Sequence, residues 1–124
     1  EANTMVDMAK TEIAPAVEAY VLDLAKTVAA KRALDLNIAC VYEQDLIRKL
    51  ASLTDCIAVK AAALENAVTA LHAAEDVTAE ACAIRDTVLV KMSELRMVCD
   101  EAETLTAKKY WPYPTYGDLL FGVK

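Results

Sequence analysis

Residues 16–111 contain neither glycine nor proline, and no other feature constrains the fold of this chain as strongly. Glycine and proline are the strongest local markers of turns, so 96 consecutive residues without either favour long helices. One helix of that length would span about 140 Å at a rise of ~1.5 Å per residue. It would also leave its apolar stripe in water, so the chain is expected to fold back on itself. The sequence therefore predicts an all-α fold.

Apolar residues at spacings of three and four predict three long antiparallel helices, over about residues 3–34, 42–74 and 79–105. The core stripe of the first helix is Met5, Met8, Ile13, Val17, Val21, Leu24 and Val28. The second helix has a heptad seam, which is typical of packing at about 20° between axes. Its members are Leu46, Leu50, Leu53, Ile57, Leu64, Val68 and Leu71. The stripe of the third helix is Ile84, Val88, Met92, Leu95, Val98 or Cys99, Ala102 and Leu105.

The predicted helices meet at two reversals, and the first helix contains a proline. Pro15 removes a hydrogen bond and crowds the preceding turn, so a kink or break is expected there. The first reversal falls at residues 35–40, where Asn37 is the residue that tolerates left-handed geometry. The second falls at residues 75–78, with Thr78 or Asp76 as the N-cap of the third helix.

The charge balance excludes several classes of partner. The net charge is −6, whereas nucleic acids and anionic membrane surfaces both attract basic proteins. The longest run without Asp, Glu, Lys or Arg, residues 66–74, is too short for a membrane span.

No signal-peptide pattern opens the sequence, and Met5 and Met8 already stand one helical turn apart, so Glu1 is interpreted as the boundary of a fragment. We expect a cytoplasmic protein with no nucleic-acid or membrane partner.

The four cysteines do not have the spacing of a metal site. Cys40, Cys56, Cys82 and Cys99 form no CxxC pair, so no zinc site is predicted. Free cysteine is among the most buried residue types, and we expect all four to be buried, reduced and structural.

No catalytic, cofactor-binding or metal-binding residue is predicted in this chain. His72 is the only histidine, and a di-metal bundle site would need Glu-x-x-His pairs that the sequence lacks. Glu75 and Asp76 are interpreted as marking a loop, and Asp100, Glu101 and Glu103 as a salt bridge or a solvated patch. With only Gly117 and Gly122, a glycine-rich phosphate loop is also excluded.

The composition changes abruptly at residue 110. We divide the chain into a helical bundle, 1–109, and an aromatic, proline-containing tail, 110–124. Each residue before a proline is pushed out of the α region, so the tail is expected to begin as an extended segment. It could strap its own bundle or dock onto another domain or subunit, since rigid aromatic anchors suit either role. The predicted docking residues are Trp111, Pro112, Pro114, Tyr116, Leu119, Leu120 and Phe121.

Both ends of the sequence resemble a known family. Residues 109–121, Lys-Tyr-Trp-Pro-Tyr-Pro-Thr-Tyr-Gly-Asp-Leu-Leu-Phe, look like the C-terminal signature of type III glutamine synthetases. Residues 96–105, which precede it, resemble the helix that leads into that signature, and residues 4–16 resemble the segment after the family's catalytic barrel. Residues 35–90 match only as generic bundle sequence.

The resemblance implies a C-terminal helical domain of a larger, cytosolic, oligomeric ligase that joins ammonia to glutamate. That enzyme would use ATP and Mg or Mn, bound by residues upstream of Glu1. This fragment alone would not be an enzyme. Its partners would be the upstream catalytic domain and neighbouring subunits of a homo-oligomer. The alternative, from a different class, is a free-standing helical adaptor that binds a partner helix in a groove.

Overall fold

The computed structural model describes residues 1–74 and 79–113. Within these ranges the chain forms four α-helices: α1 (Ala2–Met8), α2 (Ala14–Leu34), α3 (Val41–Ala73) and α4 (Ala79–Leu105). A π-helical turn, Ala9–Ile13, joins α1 to α2 without a break, so α1 and α2 together are the predicted first helix. The prediction of an all-α fold with three long helices is confirmed.

Pro15 lies within the first helix but does not break it. The π-helical turn ends at Ile13, two residues before the proline, and Pro15 occupies the first turn of α2. In a π turn the hydrogen bonds run from i to i+5, which widens the helix at one point. We attribute the turn to the proline, because the wider loop of backbone relieves the clash of its ring with the preceding turn. The first helix therefore continues through Pro15 without a break.

Helix α3 lies in the middle of the fold and packs extensively against both α2 and α4. Its buried face carries the predicted heptad seam, with Leu50 and Leu64 completely buried. Ala61 fills the seam between Ile57 and Leu64, where the sequence pattern had a step of seven residues. The long-range ion pairs Lys10–Glu65 and Lys60–Glu94 link α3 to its two neighbours.

The buried residues of the first helix differ in part from the prediction. Val6 and Ala9 are buried, whereas Met5 and Met8, which were predicted in the core, are half-buried. The small side chain of Ala9 lets the helix approach α3 closely, so the longer methionines lie beside the contact. Farther along the helix, Val17 is completely buried as predicted.

The α2–α3 turn has a different geometry from the one predicted. Its left-handed residue is Cys40, with φ 53°, and not Asn37. The backbone N–H of Asn37 instead donates to the Asp35 side-chain oxygen at 2.9 Å. This local hydrogen bond turns the chain without a left-handed residue at position 37. The predicted caps Thr78 and Asp76 lie outside the described residues.

The segment after α4 lies back along the first helix. A short 3₁₀ turn, Lys108–Tyr110, is followed by Trp111 in extended conformation, with φ −77° and ψ 126°. This turn contacts α2. Trp111 thus has the extended backbone predicted for it, whereas Tyr110, the first residue of the predicted tail, lies in the 3₁₀ turn. Residues 114–124 lie outside the described part of the chain.

No helix within residues 1–74 and 79–113 is both long enough and apolar enough to cross a membrane.

Candidate functional site

The residues first considered for chemistry do not converge. His72 is exposed near the end of α3, and Asp100 and Glu101 are exposed on α4. In residues 1–74 and 79–113, no three His, Cys, Asp or Glu side chains form a group that could hold a metal ion. Residues Glu75 and Asp76 lie outside the described part. The features with functional interest are two surfaces at which apolar side chains reach solvent.

The first surface begins where the tail leaves α4. Tyr110 stacks on Tyr20 of α2, with ring centroids 5.2 Å apart, and its hydroxyl donates a hydrogen bond to the Asp23 carboxylate. The Lys109 ammonium lies 5.1 Å from the centroid of the Tyr110 ring, within cation–π distance. Three different contacts therefore hold Tyr110 in place and set the direction of the chain that follows.

Trp111 and Tyr113 then pack against the core and form one wall of an open groove of about 540 Å³. The other walls come from α1 and α4. The apolar lining is Met5, Met8, Ile13, Cys99, Trp111 and Tyr113. The charged residues at the groove are Glu1, Arg96, Asp100 and Glu103. A groove with an apolar floor and polar edges is a shape that accepts an apolar segment of protein.

The groove contains two titratable groups that burial keeps protonated. Burial, followed by the nearby Asp100 carboxylate, raises the pKa of Cys99 to about 11. Burial, followed by the Glu12 carboxylate, raises the pKa of Tyr113 to about 12. The Tyr113 hydroxyl has no hydrogen-bond partner of ordinary geometry within the described residues. The thiolate is the reactive form of cysteine, so Cys99 is an inert thiol at neutral pH.

The cysteines agree only partly with the prediction. All four are free thiols, and Cys40 and Cys99 are buried. Cys82 is exposed on α4, so its predicted burial is wrong, and Cys56 is half-buried. The first turns of α4 have few core positions, and Cys82 follows the buried Ala81 onto the solvent side of the helix.

The second surface is the α2–α3 turn, which the sequence reasoning did not identify. Four large apolar side chains there are 70–86% exposed. These residues, which we call the apolar knob, are Leu34, Leu36, Val41 and Tyr42. A signal was present in the sequence: Leu36 and Val41 are apolar residues in or next to a turn and belong to no core stripe. Glu43, by contrast, was not considered, yet its side chain is buried and paired with Lys31.

Comparison with known proteins identifies one relative over the whole chain. The chain is 34% identical, over 127 aligned positions, to a glutamine synthetase from Butyrivibrio fibrisolvens. The match covers 100% of this chain but 18% of that protein, so the chain spans less than a fifth of its relative. No family model matches, and no solved structure matches significantly. The predicted resemblance is confirmed: over its full length the chain is similar to a part of a glutamine synthetase.

Proposed function

We propose that this chain is a non-catalytic, structural and assembly domain at the C-terminal end of a type III glutamine synthetase. The observation that carries the proposal is the match of the entire chain within a small share of a glutamine synthetase. Because the whole chain aligns with one part of the relative, we expect it to have the role that this part has in a glutamine synthetase. The resemblance of residues 109–121 to the type III signature supports the subclass and the C-terminal position.

The parent protein would join ammonia to glutamate with ATP and Mg or Mn in the cytoplasm. Within residues 1–74 and 79–113, no three His, Cys, Asp or Glu side chains form a group that could hold a metal ion, and the sequence has no glycine-rich loop for the phosphates of ATP. Both are assigned to the remainder of the protein, together with the chemical steps of the reaction. What this chain contributes is a helical body in which the apolar seam of α3 packs against α2 and α4, with the first residues of the tail lying on α2.

The tail connects this body to its partners in the proposal. Tyr110, Trp111 and Tyr113 lie on the bundle, which supports the strap interpretation for this part of the tail. The docking residues Tyr116, Leu119, Leu120 and Phe121 follow within eight positions of Tyr113. We place them, with Pro112 and Pro114 as stiff spacers, against the upstream catalytic domain or a neighbouring subunit of a homo-oligomer.

The native size and activity of the polypeptide test the proposal directly. An immunoblot of the source with an antibody against this sequence should detect a chain several times larger than 13.5 kDa. The same fraction should form glutamine from glutamate and ammonia in an ATP-dependent assay. A native 13.5 kDa species without that activity would refute the enzyme-domain assignment.

Two tail variants of the full polypeptide separate strapping from docking. Trp111→Ala should lower both the stability of the bundle and the assembly of the protein. Phe121→Ala should weaken assembly or activity by on the order of 2 kcal/mol, the scale of a buried aromatic anchor, and leave the bundle stable. Met97→Ala, an exposed apolar truncation on α4, is the matched control. If both tail variants leave assembly and activity unchanged, the tail only straps its own bundle and the docking role is rejected.

The groove favours one alternative, a free-standing adaptor that binds a partner helix. Its apolar lining between α1, α4 and Trp111 has the form of a helix-binding groove. This alternative requires a native product of about the size of this chain, so the immunoblot distinguishes the two functions.

A further inference from the structure

The apolar knob places large apolar side chains in water at a point where the fold does not require them. Leu34 and Leu36 are more exposed than any other large apolar residue in the described part of the chain. Both flank Asp35, the residue at which α2 ends. Single exposed apolar residues are ordinary, but four within nine positions of one turn are a concentration typical of contact sites.

Polar contacts hold this turn in one conformation. The Arg32 guanidinium donates hydrogen bonds to the carbonyl oxygens of Ile38 at 3.4 Å and Ala39 at 3.2 Å. Lys31 pairs with the buried carboxylate of Glu43 and so joins the end of α2 to the start of α3. Cys40, buried and left-handed, anchors the last residue of the turn. The charged side chain of Glu43 thus lies inward, whereas Leu34, Leu36, Val41 and Tyr42 lie outward.

This inversion has a physical consequence for binding. A contact surface that is already ordered loses little conformational entropy when it docks. Flexible apolar loops lose more, and they tend to bury their apolar side chains against their own fold. The bracing of Arg32, Lys31 and Cys40 prevents that collapse and keeps Leu34 and Leu36 accessible to a partner.

We propose that the apolar knob docks into an apolar recess formed by the remainder of the same, longer polypeptide, outside these 124 residues. This inference rests on the proposed function. More than four fifths of the glutamine synthetase relative lies outside the region matched by this chain, so a larger body is available to cover the knob. The exposed Asp35 carboxylate at the tip of the turn calls for a Lys, Arg or backbone N–H group at the rim of the recess.

Site-specific photo-crosslinking in the full polypeptide tests this inference. Leu36→p-benzoylphenylalanine places the probe in the knob, and Met97→p-benzoylphenylalanine places it at an exposed apolar position on α4. Irradiation followed by mass spectrometry of crosslinked peptides identifies what lies beside each probe. We expect the probe at position 36 to link to an apolar peptide of the same polypeptide outside this region. Its yield should be at least about tenfold above that of the control, because contact centres exclude water.

Other outcomes overturn the inference. A crosslink from position 36 to this same region of a second copy would make the knob a self-association surface. A crosslink to a different protein, or a yield no higher than that of the Met97 control, would mean that the rest of the polypeptide does not cover it. If the carrier polypeptide has no glutamine-forming activity but position 36 still crosslinks within it, the proposed function fails while the docking surface stands.

Discussion

The interior of α3 and the turn that precedes it contain similar apolar side chains in opposite environments. Along α3, Leu50, Ile57 and Leu64 are buried at helical spacing against two neighbouring helices. At the turn, Leu34 and Leu36 face water while the charged side chain of Glu43 is buried. The hydrophobic effect acts equally on both sets, so the difference lies in whether another element covers them. Burial in the seam stabilises the fold, whereas exposure at the turn leaves apolar surface for another contact.

The largest expected effect is the difference in stability between truncating a side chain in the α3 seam and truncating one in the apolar knob. Leu64→Ala removes a completely buried side chain from the seam and should lower the free energy of unfolding by about 2–5 kcal/mol. Leu36→Ala, the matched control in the knob, should change it by less than about 0.5 kcal/mol, since its side chain is exposed in the folded chain. Urea denaturation followed by circular dichroism measures both. Equal losses would show that the turn is packed like the seam.

A second, smaller effect concerns the charge that the turn buries. The hydrogen bond from Lys31 lowers the pKa of Glu43 below its ordinary value of about 4.3. A lowered pKa in the folded state means that the pair stabilises the fold above that ordinary value. This stability is lost as the pH falls through the pKa that Glu43 has in the folded state. Glu43→Gln should therefore destabilise the chain near pH 7 by less than Leu64→Ala does.

The pH dependence of the stability difference between the wild type and Glu43→Gln tests whether ionised Glu43 stabilises the fold. The gap in unfolding free energy between the wild type and Glu43→Gln should narrow below pH ~4, as the wild-type carboxylate becomes protonated. Glu65→Gln, at the exposed Lys10–Glu65 pair, is the matched control and should lower the free energy of unfolding at pH ~7 by less than Glu43→Gln does. A gap that is constant from pH 7 to pH ~3 would contradict an ionised, paired Glu43.

The smallest effect is expected at an ion pair on the outer surface of α3. Lys49 and Asp45 form an ion pair at 3.0 Å, one helical turn apart, and both are exposed. Solvent and salt screen such pairs, so Asp45→Asn should cost only about 0.3–0.5 kcal/mol. The loss should disappear in high salt, in contrast to the losses at Leu64 and Glu43. A salt-independent loss would mean that Asp45 has a further role.

The same contrast explains which parts of the fold could be predicted from the sequence. The helix boundaries were accurate because a stretch without glycine or proline and a heptad seam are local signals with strong periodicity. The position of Pro15 predicted a kink or a break but not the π-helical turn, because the clash of a proline ring with the preceding turn can be relieved in more than one way. The docking residues beyond Tyr113 remain predictions, since they lie outside the described part of the chain.

The sequence by itself determined the all-α class, the three long helices, the heptad face of α3 and the resemblance to a glutamine synthetase. Those properties follow from periodicity, helix propensity and residue identity, which depend only on residues close to one another in the sequence. Only the tertiary structure decided that Val6 and Ala9 replace Met5 and Met8 in the core. It also decided that Tyr110 stacks on Tyr20 and that the α2–α3 turn faces its apolar residues outward. These outcomes depend on which surfaces meet across distant parts of the chain, and close packing between the helices settles that.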